Sequence, residues 1–233
     1  MRLRLRTRYR QRRLINIILQ EDQRISIKRS SGYIKITVGS QVFTVSLGNT
    51  KVHVPIITTG AALDCPNFNT CPFSMVNNKK TGRKLCYAQK IERLRKNVYS
   101  SRLNNQNFIL WWNEQEEKLQ CEVVNTIQRE LANHKYIRLN EAHDMSGDNI
   151  LFTLALARAF HINNQIVYTY SHSLKYIAIA RSEGMVVLHS EHDFVPVKNE
   201  AEAEKIGLPV CTSGCGTSCF RCMQGLKTAV IEH

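Results

Sequence analysis

From residue 136 onward, short apolar runs alternate with segments of helical period. Tyr136 to Leu139, Ile166 to Tyr170 and Met185 to Leu188 read as strands; Ile150 to His161, Ser173 to Ser182 and Asn199 to Ile206 read as helices. A strand followed by a helix and another strand makes a crossover, which favours parallel pairing over a meander. The expected fold class is therefore α/β: a partial β/α barrel or a mainly parallel sheet with helices. Ligands in such folds gather beyond the carboxyl ends of the strands. Those ends carry Asn140 to Asp148, Ser171-His172 and His189 to Asp193.

Upstream, the texture is different. Arg2 to Arg6, Arg24 to Lys28, Tyr33 to Val38 and Val42 to Val45 alternate at period two, with turn residues at Ser30 to Gly32 and Gly39-Ser40. This predicts a small antiparallel β region preceding the α/β part, so that residues 1–47 form an Arg-rich β unit and 48–233 a cysteine-rich α/β unit. Between them lie a loop from Gly60 to Cys86, one helix over residues 86–101, and an unbroken helical pattern from Asn104 to His134. In that pattern Trp111, Trp112 and Cys121 are expected in the core.

Charge is concentrated. The chain has a formal net charge of +13, and residues 1–13 hold seven Arg and no acid, while residues 79–102 hold nine Lys or Arg against Glu92 alone. Segments of this kind suit a polyanion, because Lys and Arg displace condensed counterions from phosphates. Arg2, Arg4, Arg6, Arg8, Lys79, Lys80, Arg83 and Lys84 are the candidate nucleic-acid contacts. A solvated face is the competing reading for both segments, and for the first strand a charged edge that discourages aggregation. A host protein is the other class of partner. No apolar run is long enough for a membrane span, and the N-terminus lacks a signal-peptide core, so a cytoplasmic, reducing setting is expected. Cysteines there are metal ligands or catalytic groups more often than disulfides.

Seven of the eight cysteines fall in two groups. Cys211, Cys215, Cys219 and Cys222 place four thiols within twelve residues, between glycines that let the backbone wrap. Four thiolates suit either tetrahedral zinc or an iron–sulfur cluster. Cys65, Cys71 and Cys86 form a three-ligand set, which would leave one coordination position open for chemistry. His143, His172, His189 and His192 lie near strand ends, where single histidines are more often structural than ligating. Ser146-Gly147-Asp148 fits an ordinary helix start, with Asp148 as cap, as well as a site for a polar ligand group. Arg138 reads as a ligand-facing cation or as a partner for Glu141 and Asp144.

Gly48-Asn49-Thr50-Lys51, Cys65-Pro66, Cys86-Tyr87-Ala88 and Val98-Tyr99-Ser100-Ser101-Arg102 with Asn104 or Asn105 resemble the opening blocks of the phage family of gene product eighty-eight. Ile137-Arg138, Ser146-Gly147-Asp148, Tyr168-Thr169-Tyr170-Ser171 and the cysteine-rich end resemble its later ones, for a coverage of about residues 48 to 222. The Cys-Tyr-Ala element is similar to one in a phage group that resembles radical S-adenosylmethionine barrels, and Cys215-x3-Cys219-x2-Cys222 has the triplet spacing of those enzymes. The resemblance implies a 4Fe-4S cluster, with zinc as the alternative, at Cys65, Cys71 and Cys86. It also implies a second centre at the C-terminal cysteines, and Ser146, Gly147, Asp148 and Arg138 near S-adenosylmethionine. Tyr170 stands where the family commonly has Lys, and Asn140 to Met145 is a longer link than usual. Two functions compete: a radical S-adenosylmethionine-like enzyme acting on nucleic acid, and a zinc-stabilised nucleic-acid-binding protein without catalysis. A phage protein that binds a host protein is a third.

Overall fold

A computed structural model describes residues 24–67, 86–190, 193–211 and 219–231. Its centre is a seven-stranded sheet in simple sequence order: β1 (Ile25–Arg29), β2 (Tyr33–Val38), β3 (Gln41–Ser46), β4 (Ile56–Ile57), β5 (Tyr136–Leu139), β6 (Ile166–Ser171) and β7 (Val186–His189). The first three pair antiparallel, with Ile36 opposite both Ile27 and Phe43. β4 joins β3 through Ser46 and Ile56, across the 47/48 boundary, and from β4 to β7 every pairing is parallel. The sheet is open, antiparallel from β1 to β4 and parallel from β4 to β7, so the α/β class with a preceding antiparallel region holds.

Helices α1 (Tyr87–Leu94), α2 (Lys96–Asn113) and α3 (Glu117–Glu130) connect β4 to β5, α4 (Ile150–Ile162) connects β5 to β6, and α5 (Leu174–Ser182) connects β6 to β7. Crossovers between parallel neighbours are right-handed, so strands added in one direction put all the helices on one face. The main core lies there. Ile57, Ile137, Leu139, Val167 and Val187 from the sheet meet Phe108, Trp112, Val123, Ile127, Phe152 and Phe160 from the helices. The antiparallel strands add Ile34, Ile36 and Phe43 to the same core, and the Phe43 ring lies 5.1 Å from Phe108 and 5.4 Å from Phe152.

The opposite face carries Ile56, Tyr168 and Leu188, with Tyr136 and Tyr170 packed beside them, and the C-terminal residues Phe220, Cys222 and Met223 cover it. A separate parallel pair, β8 (Phe194–Val197) with β9 (Thr228–Ile231), and helix α6 (Glu200–Lys205) complete the described chain. Asn199 caps α6 by accepting from the Glu202 amide. Nothing in the residue pattern foretells β4, β8 or β9.

Both long helical patterns break. The helix expected over 86–101 ends at Leu94, and Arg95 is extended at φ −131° and ψ 91° before α2 begins. On one straight helix, residues ten apart stand about 15 Å apart along the axis. Here Glu92 and Arg102 meet at 2.9 Å, both buried, which only the break allows. The pattern from Asn104 to His134 turns back at Glu114 to Glu116, where the Trp112 indole donates to the Gln120 carbonyl and the Gln120 amide donates to the Trp112 carbonyl. Trp112 is core, and Trp111 packs at its margin. Cys121 is exposed rather than core, since the buried stripe of α3 runs through Leu119, Val123, Val124 and Ile127.

Candidate functional site

The carboxyl ends of β4 and β5 open into a cavity of about 160 Å³ lined by Thr59, Asp64, Gln106, Ile109, His143, Ser146, Asp148 and Asn149. Its floor is a closed hydrogen-bond network. The Asn149 amide donates to the Thr59 hydroxyl at 3.1 Å, to the Asp144 carbonyl at 2.9 Å and towards His143 Nδ1 at 3.1 Å. His143 Nε2 faces the Asp64 carbonyl at 3.1 Å. Nδ1 also stands 2.9 Å from the Asp144 carbonyl, so each ring nitrogen faces a carbonyl acceptor, and a neutral imidazole donates to one of the two. Burial pushes His143 below the ordinary histidine pKa, against the upward pull of Asp144 and Asp64, which favours this neutral form. The ring packs so close to Gly60 that a Cβ there would stand 2.7 Å from His143 Cδ2, so glycine at residue 60 is a steric requirement.

Asp144 is a structural carboxylate. It accepts from the Asn67 side chain, the Met145 and His172 amides and the Ser171 hydroxyl, and so ties the ends of β5 and β6 together. Thr59 donates to Asn140 Oδ1 at 2.5 Å, and Asn140 takes a positive φ of 54° as the chain leaves β5. Helix α4 begins after Asn149, with Asp148 exposed beside its start rather than capping it. Ser146 is buried, and its Oγ has no hydrogen-bond partner among the described residues.

Cys65 and Cys86 border this region from the other side. Cys65 ends the short helical turn Ala62–Asp64, and Cys86 precedes α1 and packs against Ala62, Ala88 and Ala142. Glu92 fastens the two segments: its carboxylate accepts from the Ala62 amide at 2.8 Å, the Leu63 amide at 3.1 Å and Arg102 at 2.9 Å. Arg102 also reaches Glu141 at 3.2 Å. Arg138 lies over the Tyr170 ring, 4.9 Å from its centroid. Arg102, part of the basic stretch 79–102, is buried in this ion cluster rather than facing solvent.

Cys222 lies under the tyrosine-lined face. The Cys222 thiol is buried and pushed up by that burial; the Tyr170 hydroxyl bonded to it and the Arg138 cation act downward, and Cys211 and Cys219 act upward. Burial likewise raises the Tyr170 phenol above its ordinary value. Cys211, Cys219, Cys222, Tyr170 and Arg138 are therefore electrostatic neighbours, with Phe220 stacked 5.5 Å from Tyr136. Among the described residues, however, no three His, Cys, Asp or Glu side chains stand in a metal-holding arrangement. Cys71 and Cys215 lie outside the described residues, as do Arg2, Arg4, Arg6, Arg8, Lys79, Lys80, Arg83, Lys84 and His192.

Arg138 thus associates with the C-terminal group, and Ser146 and Asp148 with the strand-end cavity, although the resemblance placed all of them beside one cofactor. The Gly48-Asn49-Thr50-Lys51 block is a turn: Asn49 Oδ1 accepts from the Lys51 and Val52 amides, and Gly48 takes a φ of 121°. Asn105, given no role beyond the resemblance, bridges the Thr44 amide and carbonyl to the Thr58 carbonyl with its side chain and sets β3 against the end of β4. A buried Asn on an amphipathic helix was the available signal. Sequence reasoning missed Thr59 and Asn149.

Among the described residues no helix is long and apolar enough to cross a membrane. No curated protein and no solved structure matches the chain. The family model for Gene product 88 matches residues 32–190, more than half of the chain, beginning earlier than the expected residue 48 and ending before Cys211. It spans β2 to β7 and the strand-end cavity, and so the chain belongs to the phage protein family Gene product 88.

Proposed function

We propose that this protein is an iron–sulfur metalloprotein with two cysteine centres, one on each side of the parallel strands. Cys211, Cys215, Cys219 and Cys222 would hold the closed centre, and Cys65, Cys71 and Cys86 the open one. What supports the reading is the spacing of four thiols within twelve residues, together with the Cys222 thiol bonded to the Tyr170 hydroxyl under the sheet. A thiolate-bound metal is a concentrated negative charge, and its stability depends on the donors and cations behind its ligands. Arg138 and the Tyr170 hydroxyl beside Cys222 are such groups, which supports a thiolate centre there. At the open site the fit rests on Cys65 and Cys86, which the Glu92 carboxylate fastens to one another's segments.

An open cluster of this type, when bound, supplies an electron to a sulfonium such as S-adenosylmethionine. Around it, Ser146, Gly147 and Asp148 would receive the polar end of the cofactor, and the buried His143 would hold the floor. The basic segments containing Arg2 to Arg8 and Lys79 to Lys84 would bring a nucleic acid to the site by phosphate contacts.

The test is anaerobic purification of the full chain and of Cys222→Ser, with visible spectra and iron, sulfide and zinc counts on each sample. The expected result is about four irons or more per chain with matching sulfide, and a loss of one centre in Cys222→Ser. A colourless protein with stoichiometric zinc would replace this reading with a zinc-stabilised nucleic-acid-binding protein. A metal-free protein would overturn both.

A further inference from the structure

We propose that the strand-end cavity is a recess for the primary ammonium end of a small aliphatic ligand. This goes beyond the metalloprotein reading and requires metal at neither cysteine group. At about 160 Å³ the cavity has room for roughly five waters at their bulk volume, which is below the size of pockets that enclose whole ligands. It therefore receives one end of a molecule. The rest projects past the exposed rim formed by Asp64, Asp148 and Leu110.

The chemistry of that end follows from what the walls leave available. On the floor, Thr59, His143 and Asn149 use their hydrogen bonds on one another and on backbone carbonyls. Ser146 is the exception: it lines the cavity at 7% exposure, and its hydroxyl has no partner among the described residues. A buried polar atom left in that condition is unfavourable unless something fills the space beside it. The rim adds two carboxylates, Asp64 and Asp148, and among the described residues no Lys or Arg lines the cavity. Asp64 is already close enough to Tyr99 to raise that phenol above its ordinary pKa. Among the described residues the recess is thus rich in acceptors with a negatively charged rim, which favours a cation that donates. A primary ammonium offers three donors. Ile109, Leu110 and Pro66 form the apolar wall along which a methylene stem would lie.

The ammonium has two chemical sources, a free alkylamine or the side chain of a lysine in a peptide, and the experiment has an arm for each. The full-length protein, as purified, is titrated in amide NMR spectra with n-butylammonium and, separately, with N-acetyl-lysine methylamide. Both should give saturable shifts at Ser146, Asn149 and Gln106. Tighter binding of the lysine derivative would identify a peptide as the source, and equal or weaker binding a free amine. Asp148→Asn, at an exposed position, and Ser146→Ala should each weaken the n-butylammonium interaction by about tenfold or more, as expected for hydrogen bonds to a charged group. Butan-1-ol and tetramethylammonium, which lack the charge or the donors, should produce no saturable shift. Absence of saturation, unchanged affinity in both variants, or equal binding of butan-1-ol would overturn the proposal. Because metal content is read separately, failure here leaves the cysteine centres untouched, and the reverse holds.

Discussion

Replacing Arg102 with Met tests the ion cluster that shapes the strand-end region. Glu92 has no exposed side-chain surface, and Arg102 supplies its cation at 2.9 Å. The Ala62 and Leu63 amides would still donate to Glu92 in the variant, but a full negative charge would be left buried. Removing one partner of a buried pair in this way costs about 3–5 kcal/mol, a large share of the roughly 5–15 kcal/mol that holds a domain together. For a chain of this size that corresponds to a fall in Tm of about 6–20 °C. Glu141 also loses Arg102, but with 17% of its side chain exposed it remains hydrated, so it adds little. Urea unfolding followed by circular dichroism would measure the loss. A second substitution separates charge from packing: Glu92→Gln in the Arg102→Met background removes the buried charge while keeping an acceptor, and should recover at least half of the stability. Because Glu92 anchors the turn before Cys65, Arg102→Met should also speed alkylation of Cys65. A loss below about 1 kcal/mol, the level of an exposed pair, or a double variant no better than the single one, would refute the argument.

Three other perturbations follow from the same geometry. Since burial holds His143 below its ordinary value of 6.5, the unfolded chain takes up the proton first; stability should be full above that pH and fall as pH drops below it. Tm measured against pH should show this slope, and His143→Gln should flatten it. Gly60→Ala would place a Cβ 2.7 Å from the His143 ring, and urea denaturation should show a cost of about 1–3 kcal/mol from overpacking. Deleting residues 1–13, with their seven Arg, should reduce the dependence of log K on log salt in nucleic-acid binding by about 0.7–0.9 for each phosphate that the segment neutralises. An unchanged slope would assign that segment a role other than binding phosphate.

The fold was legible wherever one residue period ran through a whole element. Tyr33 to Val38 alternates, and its alternate residues enter the core; Ile150 to His161 carries its apolar residues at helical spacing and becomes α4, with Phe152, Leu156, Ala157 and Phe160 buried. The two breaks were not legible, because neither Arg95 nor the Glu114–Glu116 turn carries Gly or Pro. Tertiary pairings impose them: Glu92 with Arg102 in one case, Trp112 with Gln120 in the other. β4 is only two residues long, and its pairing is fixed by the strands on either side rather than by its own propensity. At the site, the strand-end rule pointed to Asn140 to Asp148, and the cavity is there. The split between Arg138 and Ser146 was hidden, since eight positions in sequence give no indication that Arg138 lies over the Tyr170 ring while Ser146 lines the cavity.

That split follows from how the sheet is wound. Same-handed crossovers give one face to the helices, and a parallel sheet is stable only with both faces covered. The other face carries Tyr136, Arg138, Tyr168 and Tyr170, amphipathic groups that need both apolar cover and partners for their polar ends. The C-terminal segment answers both needs with few residues: Phe220 and Met223 pack on the rings, and Cys222 meets the Tyr170 hydroxyl. A segment this short, with its cysteines spaced by Gly, Ser and Thr, buries little apolar surface of its own. Its hold on the sheet rests on Phe220, Met223 and the contact of Cys222 with Tyr170. The strand-end cavity has the opposite design, since Asn105, Asp144 and Asn149 hold its walls by hydrogen bonds between elements. One set of parallel strands thus supports a preformed recess at its carboxyl ends and, on its other face, a cover packed through Phe220, Cys222 and Met223.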